Sequence, residues 1–396
     1  MATMSGGGSE RKPGLGIRGL RWLASLTGLL VGLGAGCAGN HVVGAAGLVE
    51  VAGQPLDATP LQLAVGDFDG DQQQDVAILG LQSQLCWLRG NGQLGFAFPS
   101  CGVLAAPASH LAALATGPMT ASWLVAAGSA VTLLRAQNDG QFAAHSSWPV
   151  VGATTSLMVP SESVGASDAS DLLVLSAAQQ EAALFLHPSS GLLPPVRHPT
   201  MPEATAAWLA DLDGDHSSEL VVIGGGRAQP AALAGVSARG PLQFARCASG
   251  RTQPALQQPT GVATGDIDGD GRPELLISDA ATHTLLVLHI QPSAGFVLDC
   301  GDDTGGRLQL PADPQALVVA DLDQDGRADV LVLHREPGLL SLAMGSPTGL
   351  LAPVTFPVGS TPQALAVADL QHDGLPEVLV LSPTDRLLRI FRSAFR

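Results

Sequence analysis

The chain has very little positive charge and few aromatic side chains. It contains no tyrosine, a single lysine at position 12, and only 4 % aromatic residues among 396. Lys and Arg together number 19 against 35 Asp and Glu, which gives a formal net charge of -16. Because nucleic-acid binding needs a basic surface, this balance argues against a nucleic-acid partner. Hydrophobic residues make up 46 % of the chain, which is enough for a sizeable core and argues against disorder.

The sequence also lacks the short motifs of common enzyme chemistry. It has no G-x-S-x-G, no H-E-x-x-H and no phosphate-cradling glycine loop, and its ten histidines are dispersed without metal-ligand spacing. We therefore expect no catalytic residues. We expect four of its tryptophans to pack inside the fold, although one could line a sugar-binding surface: Trp87, Trp123, Trp148 and Trp208.

The first 37 residues have the pattern of an export signal. Basic residues between Arg11 and Arg21 precede an apolar run over 22–33, which is too short to span a bilayer as a helix. Small residues then lead to Cys37 and resemble a bacterial lipoprotein cleavage box, in which Cys37 would be lipidated. The match departs from the box because Leu33 stands four places before the cysteine rather than three. We predict a signal peptide over 1–37, a linker over 38–44, and a periplasmic, outer-membrane or extracellular location. The alternative is a short core helix.

The stretch 265–278 reads G-D-I-D-G-D-G-R-P-E-L-L-I-S and looks like a metal loop. Asp266, Asp268, Asp270 and Glu274 stand at positions 1, 3, 5 and 9, and a β-like run follows. Calcium prefers such an oxygen cage, with carboxylates at alternate positions and a backbone carbonyl at position 7, here Arg272. A glycine at position 6 permits the sharp turn. The stretch therefore predicts a calcium site.

Similar acidic loops recur along the chain. They begin at residues 67, 211, 266, 321 and 369, and we name them loop one (67–75), loop four (211–219), loop five (266–274), loop six (321–329) and loop seven (369–377). The last four are spaced by 55, 55 and 48 residues, and the first gap of 144 equals three units of 48. Two copies that have lost the D-x-D-x-D carboxylates fill that gap, at 111–126 and 156–175. The sequence thus predicts seven units, and the loops hold 19 of the 35 acidic residues.

Each unit contains four short β-like runs. In the sixth unit these are 316–320, 329–334, 340–344 and 351–356, separated by Gly and Pro turns. Four strands repeated every 40 to 55 residues predict an all-β fold, a seven-bladed β-propeller of four-stranded blades. The last unit ends after three strands, and the run 48–52 has no unit of its own. We therefore expect this N-terminal strand to complete the last blade, which pairs an otherwise open edge.

Five similar segments, each at the same position in its repeat, carry a family resemblance. They are V-G-D-F-D-G-D at 65–71, L-A-D-L-D-G-D at 209–215, T-G-D-I-D-G-D-G at 264–271, V-A-D-L-D-Q-D-G at 319–326 and V-A-D-L-Q-H-D-G at 367–374. From about residue 45 to the end, the chain resembles the FG-GAP/VCBS repeat family of integrin-α-like seven-bladed propellers, in a bacterial exported form. The resemblance implies calcium loops between the first and second strands of the blades that carry them. It also implies blade tops that bind proteins or sugars.

The resemblance implies ligands in the other loops and up to five Ca²⁺ ions. They are Asp67, Asp69, Asp71, Asp75 and the Gln73 carbonyl; Asp211, Asp213, Asp215, Glu219 and the Ser217 carbonyl; Asp321, Asp323, Asp325, Asp329 and the Arg327 carbonyl; and Asp369, Asp373, Glu377 and the Leu375 carbonyl. In loop seven Gln371 replaces the second carboxylate, so weaker binding is expected there. Loops one and four have Gln72 and His216 in place of the glycine at position 6, which puts their turns in question.

Two other interpretations of the loops are an EF-hand and an acidic turn without metal. An EF-hand shares the D-x-D-x-D-G start, but it closes with a bidentate Glu at position 12 between two helices, whereas these loops close at position 9 between β-like runs. Acidic turns without metal are the second alternative, although unscreened carboxylates at this density repel one another strongly.

Four cysteines follow Cys37, and an even number in an exported chain permits two disulfides. Cys86 and Cys101 flank a Gly-Asn-Gly turn at 90–92, so we expect them to pair across a hairpin. Cys247 and Cys300 follow similar phrases in neighbouring units and form the second expected pair.

The function expected from the sequence is a calcium-stabilised, non-catalytic binding or scaffold module at the cell surface. Its partner would be a protein or a glycan, with membrane contact only through a lipid on Cys37. The alternatives are a carbohydrate-binding propeller and a polysaccharide-active enzyme, such as a lyase, built on the same fold.

Overall fold

The computed structural model describes residues 47–57, 59–97, 99–114, 122–150, 152–159, 171–186, 194–212, 219–224, 232–237, 243–244, 246–247, 256–291, 297–299 and 306–394. By internal contacts the chain divides into Met1–Val43 and Gly44–Arg396. The predicted signal peptide, the linker and Cys37 lie outside the described residues. In the described part no helix is long and apolar enough to cross a membrane.

The described chain is all-β, as predicted. Six sheets contain four strands each, paired in antiparallel order. The first three sheets are β2 Pro60–Gly66, β3 Asp75–Gly80, β4 Gln84–Leu88, β5 Ser100–Val103; β6 Ala108–Leu114, β7 Trp123–Gly128, β8 Ala130–Ala136, β9 Phe142–Pro149; and β10 Ser156–Met158, β11 Leu172–Ser176, β12 Glu181–Phe185, β13 Val196–Pro199. The fourth, sixth and last are β14 Ala204–Ala210, β15 Glu219–Gly224, β16 Ala232–Ser237, β17 Gln243–Phe244; β24 Pro314–Ala320, β25 Asp329–His334, β26 Leu339–Ala343, β27 Val354–Pro357; and β28 Ala364–Ala368, β29 Glu377–Ser382, β30 Leu387–Ser393, β1 Leu48–Pro55. Within these residues the helical segments are two 3-10 turns, Leu81–Ser83 and Ala177–Gln179.

The fifth sheet departs from the predicted plan. It collects six strands: β18 Arg246–Cys247, β19 Pro259–Gly265, β20 Glu274–Asp279, β21 Thr284–Gln291, β22 Val297–Asp299 and β23 Arg307–Gln309. The outer edge of β21 is shared by two short strands, with β23 on its first half and β22 on its second. β18 then pairs with β22 in parallel. The structure thus shows six regular four-stranded blades, and the prediction of seven equivalent ones is not confirmed.

The N-terminal strand lies in the last sheet. β1 pairs antiparallel with β30, with Leu48 opposite Ser393 and Pro55 opposite Leu387. Arg389 of β30 reaches Glu50 of β1, with Nη1 2.9 Å from Oε1. The strand predicted over 48–52 therefore forms and pairs with the end of the chain.

The core lies between neighbouring sheets. The second strands β3, β15, β20, β25 and β29 are buried at all six residues, because their apolar runs face another sheet on both sides. The first strand of each sheet contacts the first strand of the next, and β28 contacts β2. One buried cluster joins Val76 and Ile78 to Leu379 and Leu381. This packing holds the strand ends, and so the acidic loops, in fixed positions.

Candidate functional site: the acidic loops

Each acidic loop connects the first and second strands of its sheet. The loops lie between β2 and β3, β14 and β15, β19 and β20, β24 and β25, and β28 and β29. In loop four, Asp211 and Glu219 belong to the described residues, whereas the ligands predicted at Asp213, Asp215 and Ser217 lie outside them. The arrangement in loops one, five, six and seven can therefore be compared directly.

The acid at position 9 closes each loop from inside the fold. All five of these side chains are buried, and each accepts a hydrogen bond from the backbone N–H at position 2 over 2.9–3.1 Å: Asp75, Glu219, Glu274, Asp329 and Glu377. Asp75 and Asp329 also accept from the N–H groups of Gly90 and Gly345. The closing acid is thus a structural link as well as a candidate ligand.

The acid at position 1 shapes the turn. In loops one, five, six and seven its Oδ2 accepts a hydrogen bond of 2.8–2.9 Å from the N–H at position 6, as Asp266 does from Gly271. The backbone is left-handed at positions 4 and 6 in all four loops. Position 6 is left-handed even where it is Gln72, with φ of 68°, so loop one makes the same turn as the others.

Three loops gather their carboxylates closely enough to share one cation. In each set, every residue offers an oxygen within 4.8 Å of the others: Asp67, Asp69 and Asp71; Asp266, Asp268 and Asp270; and Asp321, Asp323 and Asp325. An all-oxygen set at this spacing fits Ca²⁺, which takes 6–8 oxygen ligands. Among the described residues of loop seven, no such set forms. The carbonyls at Gln73, Arg272, Arg327 and Leu375 stay predicted ligands.

In loops one and six burial acts most strongly on the closing acid, although Arg327 contacts Asp325 in loop six and Arg89 lies near Asp69 in loop one. Burial raises the pKa of Asp75 and of Asp329 to about 6, although two backbone N–H groups pull each value down. Burial and the neighbouring Asp71 and Asp325 also raise the pKa of Asp69 and Asp323. A bound cation would reverse these shifts, because opposite charge favours the ionised carboxylate.

A residue on the third strand faces the closing acid. Glu377 pairs with Arg392, and the registers of the corresponding strands place Arg89 level with Asp75 and His289 level with Glu274. Arg89 Nε lies 3.6 Å from Asp69, and His289 Nδ1 lies 2.9 Å from Glu274 Oε1. In loops four and six the same register gives Ser237 and Met344, so the basic residue is specific to three loops.

In loop seven the facing residue supplies a positive charge directly. The guanidinium of Arg392 donates to Gln371 and Asp373, and its Nε lies 3.7 Å from Glu377. The hydrogen bond from Arg392 lowers the pKa of Asp373, whereas burial raises the pKa of Glu377, as it does for the closing acids of loops one and six. The loop with the weakest predicted ligand set is thus one in which a single arginine lies beside three of the loop positions.

Loops also bond to neighbouring sheets. The carbonyl of Asp67 accepts from Ser122 N at 2.5 Å, and the carbonyl of Asp266 accepts from Ala328 N at 2.7 Å. Ser393 Oγ donates to the carbonyl of Leu322 at 3.2 Å. These hydrogen bonds link loops one, five and six to the adjoining blades.

Cysteine and tryptophan positions complete the comparison with the sequence. Cys86 and Cys101 face each other on β4 and β5 and form a disulfide. Cys247 lies on β18, and Cys300 is outside the described residues, so their predicted pairing stays a prediction. Trp87 is buried, and Trp208 donates to Thr264 Oγ1 at 3.1 Å.

The comparisons with known proteins agree with this architecture. Residues 321–380, which include loops six and seven, match the model of the FG-GAP-like repeat. A search of curated proteins gives no match. The chain is similar to BBS1N, from a crystal structure in complex with ARL6DN soaked with lead, with TM-score 0.61 and 13 % identity over 87 % of this chain and 96 % of that chain. It is also similar to Sqt1 of Saccharomyces cerevisiae, with TM-score 0.53 and 9 % identity over 88 % and 99 %. At these identities the likeness concerns the fold, which is a β-propeller with an FG-GAP-like repeat.

Proposed function

We propose that the chain is a calcium-stabilised, exported β-propeller that acts as a non-catalytic binding or scaffold module at the cell surface. The observation that supports it is the recurrence of one carboxylate cage in loops one, five and six. We further propose that seven sheets close into one ring, which the contact of β28 with β2 and the pairing of β1 with β30 support.

Calcium would stabilise the fold at the strand ends. A cation in loop one or six would offset the buried charge of Asp75 or Asp329. Because loops one and six also bond to the adjoining blade, the gain would extend beyond the loop itself. Extracellular calcium modules bind with Kd of about 10⁻⁴–10⁻³ M, so calcium at about 1 mM would contribute about 0.4–1.4 kcal/mol per occupied loop.

Thermal unfolding of the full chain, with calcium or with a chelator, tests the calcium role. We expect chelation to lower Tm and calcium to restore it, with a smaller calcium response in Asp323→Asn. Asp139→Asn is a matched control, because Asp139 accepts the same kind of turn hydrogen bond, from Gln141 N at 3.0 Å, outside the acidic loops. Equal melting curves with calcium and with chelator would contradict the proposal.

The proposed partner is a protein. BBS1N, which has a similar fold, was crystallised in complex with ARL6DN. This analogy of fold supports the choice of a protein partner. Immobilised chain would be exposed to an extract of surface proteins with and without calcium. We expect calcium-dependent retention that prior protease treatment of the extract abolishes. Export and lipidation at Cys37 are tested separately, by the mass of the mature chain and of its Cys37→Ser variant.

A glycan is the second candidate, because one cleft has suitable chemistry. A shallow cleft is lined by Trp148, which packs edge-on against the buried Phe185, and by the charged pair Glu181 and Arg197. Retention on a glycan array that Trp148→Ala abolishes would favour this function. A polysaccharide-active enzyme would instead show turnover of a polysaccharide, which we do not expect at any calcium concentration.

A further inference from the structure

Loop five differs from the other described loops by an imidazole beside its carboxylates. Asp268, Glu274 and His289 each offer a ligand atom, and these atoms lie within 4.8 Å of one another. The Glu274 side chain is only 2 % exposed and is held by the N–H of Ile267, whereas His289 is 49 % exposed. The set therefore has one fixed carboxylate inside the fold and an imidazole reachable from solvent.

We propose that Asp268, Glu274 and His289 form a mixed nitrogen–oxygen site for a divalent transition-metal ion of the Zn²⁺ type. The inference does not require the calcium role, but the two ions would compete in loop five because both ligand sets include Asp268. Neutral imidazole suits Zn²⁺ and its neighbours, whereas Ca²⁺ takes oxygen ligands. The imidazole nitrogen of His289, as the third donor, therefore favours a transition-metal ion over Ca²⁺.

The distance between His289 and Glu274 is consistent with shared coordination, and a ligand atom of Asp268 lies within 4.8 Å of both. Bonds of about 2.0–2.2 Å in a tetrahedral zinc site place ligand atoms about 3.3 Å apart. His289 Nδ1 is 2.9 Å from Glu274 Oε1, so both atoms can reach one ion after shifts of a few tenths of an ångström. Three protein ligands leave the fourth position to water.

The same register position shows why loop five alone has this property among the described loops. Loops one and seven place Arg89 and Arg392 there, and a guanidinium has no lone pair to coordinate a metal. Loop six has Met344, whose thioether is a weak acceptor. Only His289 adds a nitrogen ligand to the carboxylates that it faces.

The test compares His289 of β21 with His283, which lies in the turn before β21, in the full chain. His289→Ser removes the proposed ligand and introduces the residue type that loop four has at this register. His283→Ser is the matched control, because His283 is 47 % exposed and pairs with a single carboxylate, that of Asp313. Calorimetry with Zn²⁺ on metal-stripped protein measures affinity and stoichiometry. The visible absorption of bound Co²⁺ reports whether nitrogen is coordinated.

We expect the parent chain and His283→Ser to bind one Zn²⁺ with equal affinity. We expect His289→Ser to lose at least tenfold in affinity, together with the nitrogen-dependent Co²⁺ band. Unchanged Zn²⁺ affinity in His289→Ser would overturn the proposal and leave only an imidazolium–carboxylate pair, and absence of Zn²⁺ binding to the parent chain would overturn it too. Calcium-dependent melting of His289→Ser is measured in parallel. If calcium changes the melting temperature of none of the chains, the calcium role is refuted and the zinc result is unaffected.

Discussion

Arg392 lies directly across the sheet from Glu377, and its Nε is 3.7 Å from Oε1 of that fully buried carboxylate. The same guanidinium donates to Gln371 and Asp373, so it contacts three of the positions that would surround a cation. Glu377 Oε1 has no hydrogen-bond partner in the part of the chain that is described. Arg392 is therefore the positive charge that loop seven has in place of a full ligand set.

Removing this guanidinium is expected to make loop seven depend on calcium. Arg392→Ala leaves Glu377 buried without a nearby positive charge, which would cost about 1–3 kcal/mol of the free energy of unfolding. Added calcium would recover part of the loss. Chemical unfolding with calcium and with chelator measures both effects. Arg389→Ala on the same strand is the control, since Arg389 contacts Glu50 and Asp385 rather than the loop. A calcium response equal to that of the parent chain would contradict this role.

Gln72→Gly and Gly271→Ala are expected to change the free energy of unfolding in opposite directions. Gln72 adopts φ of 68°, so Gln72→Gly relieves a left-handed side-chain residue and would stabilise by about 1 kcal/mol. Gly271 adopts φ of 85°, and a Cβ there would have no atom within 4 Å. Gly271→Ala would therefore destabilise by a similar amount through the backbone alone. Both variants are compared with chelator present, because calcium would mask the backbone effect. Equal stability of all three chains would contradict the argument.

Stability at mildly acid pH is expected to depend on His334. This side chain is fully buried, lies 2.8 Å from Ser341 Oγ, and has its pKa lowered by burial from 6.5. Below pH 6.5 the unfolded chain gains a proton there that the folded chain does not. Stability is therefore lost as pH falls below 6.5, by up to about 1.4 kcal/mol per pH unit.

The pH effect is measured as a difference between chains. We compare the free energy of unfolding at pH 7.5 and 5.5 for the parent chain and for His334→Gln, with His145→Gln on β9 as the exposed control. The raised pKa values of Asp75 and Asp329 act with the opposite sign, because the folded chain keeps those protons longer. They cancel in the comparison. The same loss on acidification in His334→Gln would disprove the assignment.

The disulfide is expected to contribute measurably to the first sheet. Cys86 and Cys101 are 15 residues apart, and closing a loop of that length stabilises by about 3 kcal/mol in the chain-entropy model. Reductant would lower the unfolding midpoint of the parent chain. The double variant Cys86→Ala with Cys101→Ala would start at the lower midpoint and not respond to reductant. A reductant response in the double variant would locate the effect elsewhere.

Much of the fold follows from local pattern, because apolar runs and acidic loops repeat at regular spacing. The predicted strand 329–334 coincides with β25, and each acidic loop joins a first strand to a second. The fifth sheet was not predictable in this way, since strands of two or three residues such as Arg246–Cys247 have no period to detect.

The residues that face the loops were also missed. Whether Arg392 meets Glu377 depends on the register between β29 and β30, which the turn between them sets. In three units a basic residue stands at or just after the end of the third strand. Its position opposite the closing acid can be recognised only when the strands are aligned. Left-handed backbone at Gln324 and His372 was missed for a related reason. Neither glutamine nor histidine predicts a left-handed backbone, whereas glycine does.

The pairing of β1 with β30 brings distant parts of the chain together, since the N–H of Ala394 donates to the carbonyl of Gly47 at 2.8 Å. A short linker between these two residues would make the chain continuous through this sheet. A circular permutant opened in the exposed turn 137–140 would then keep all of the described strands. The order in which the repeats are synthesised is thus separable from the order in which they are assembled.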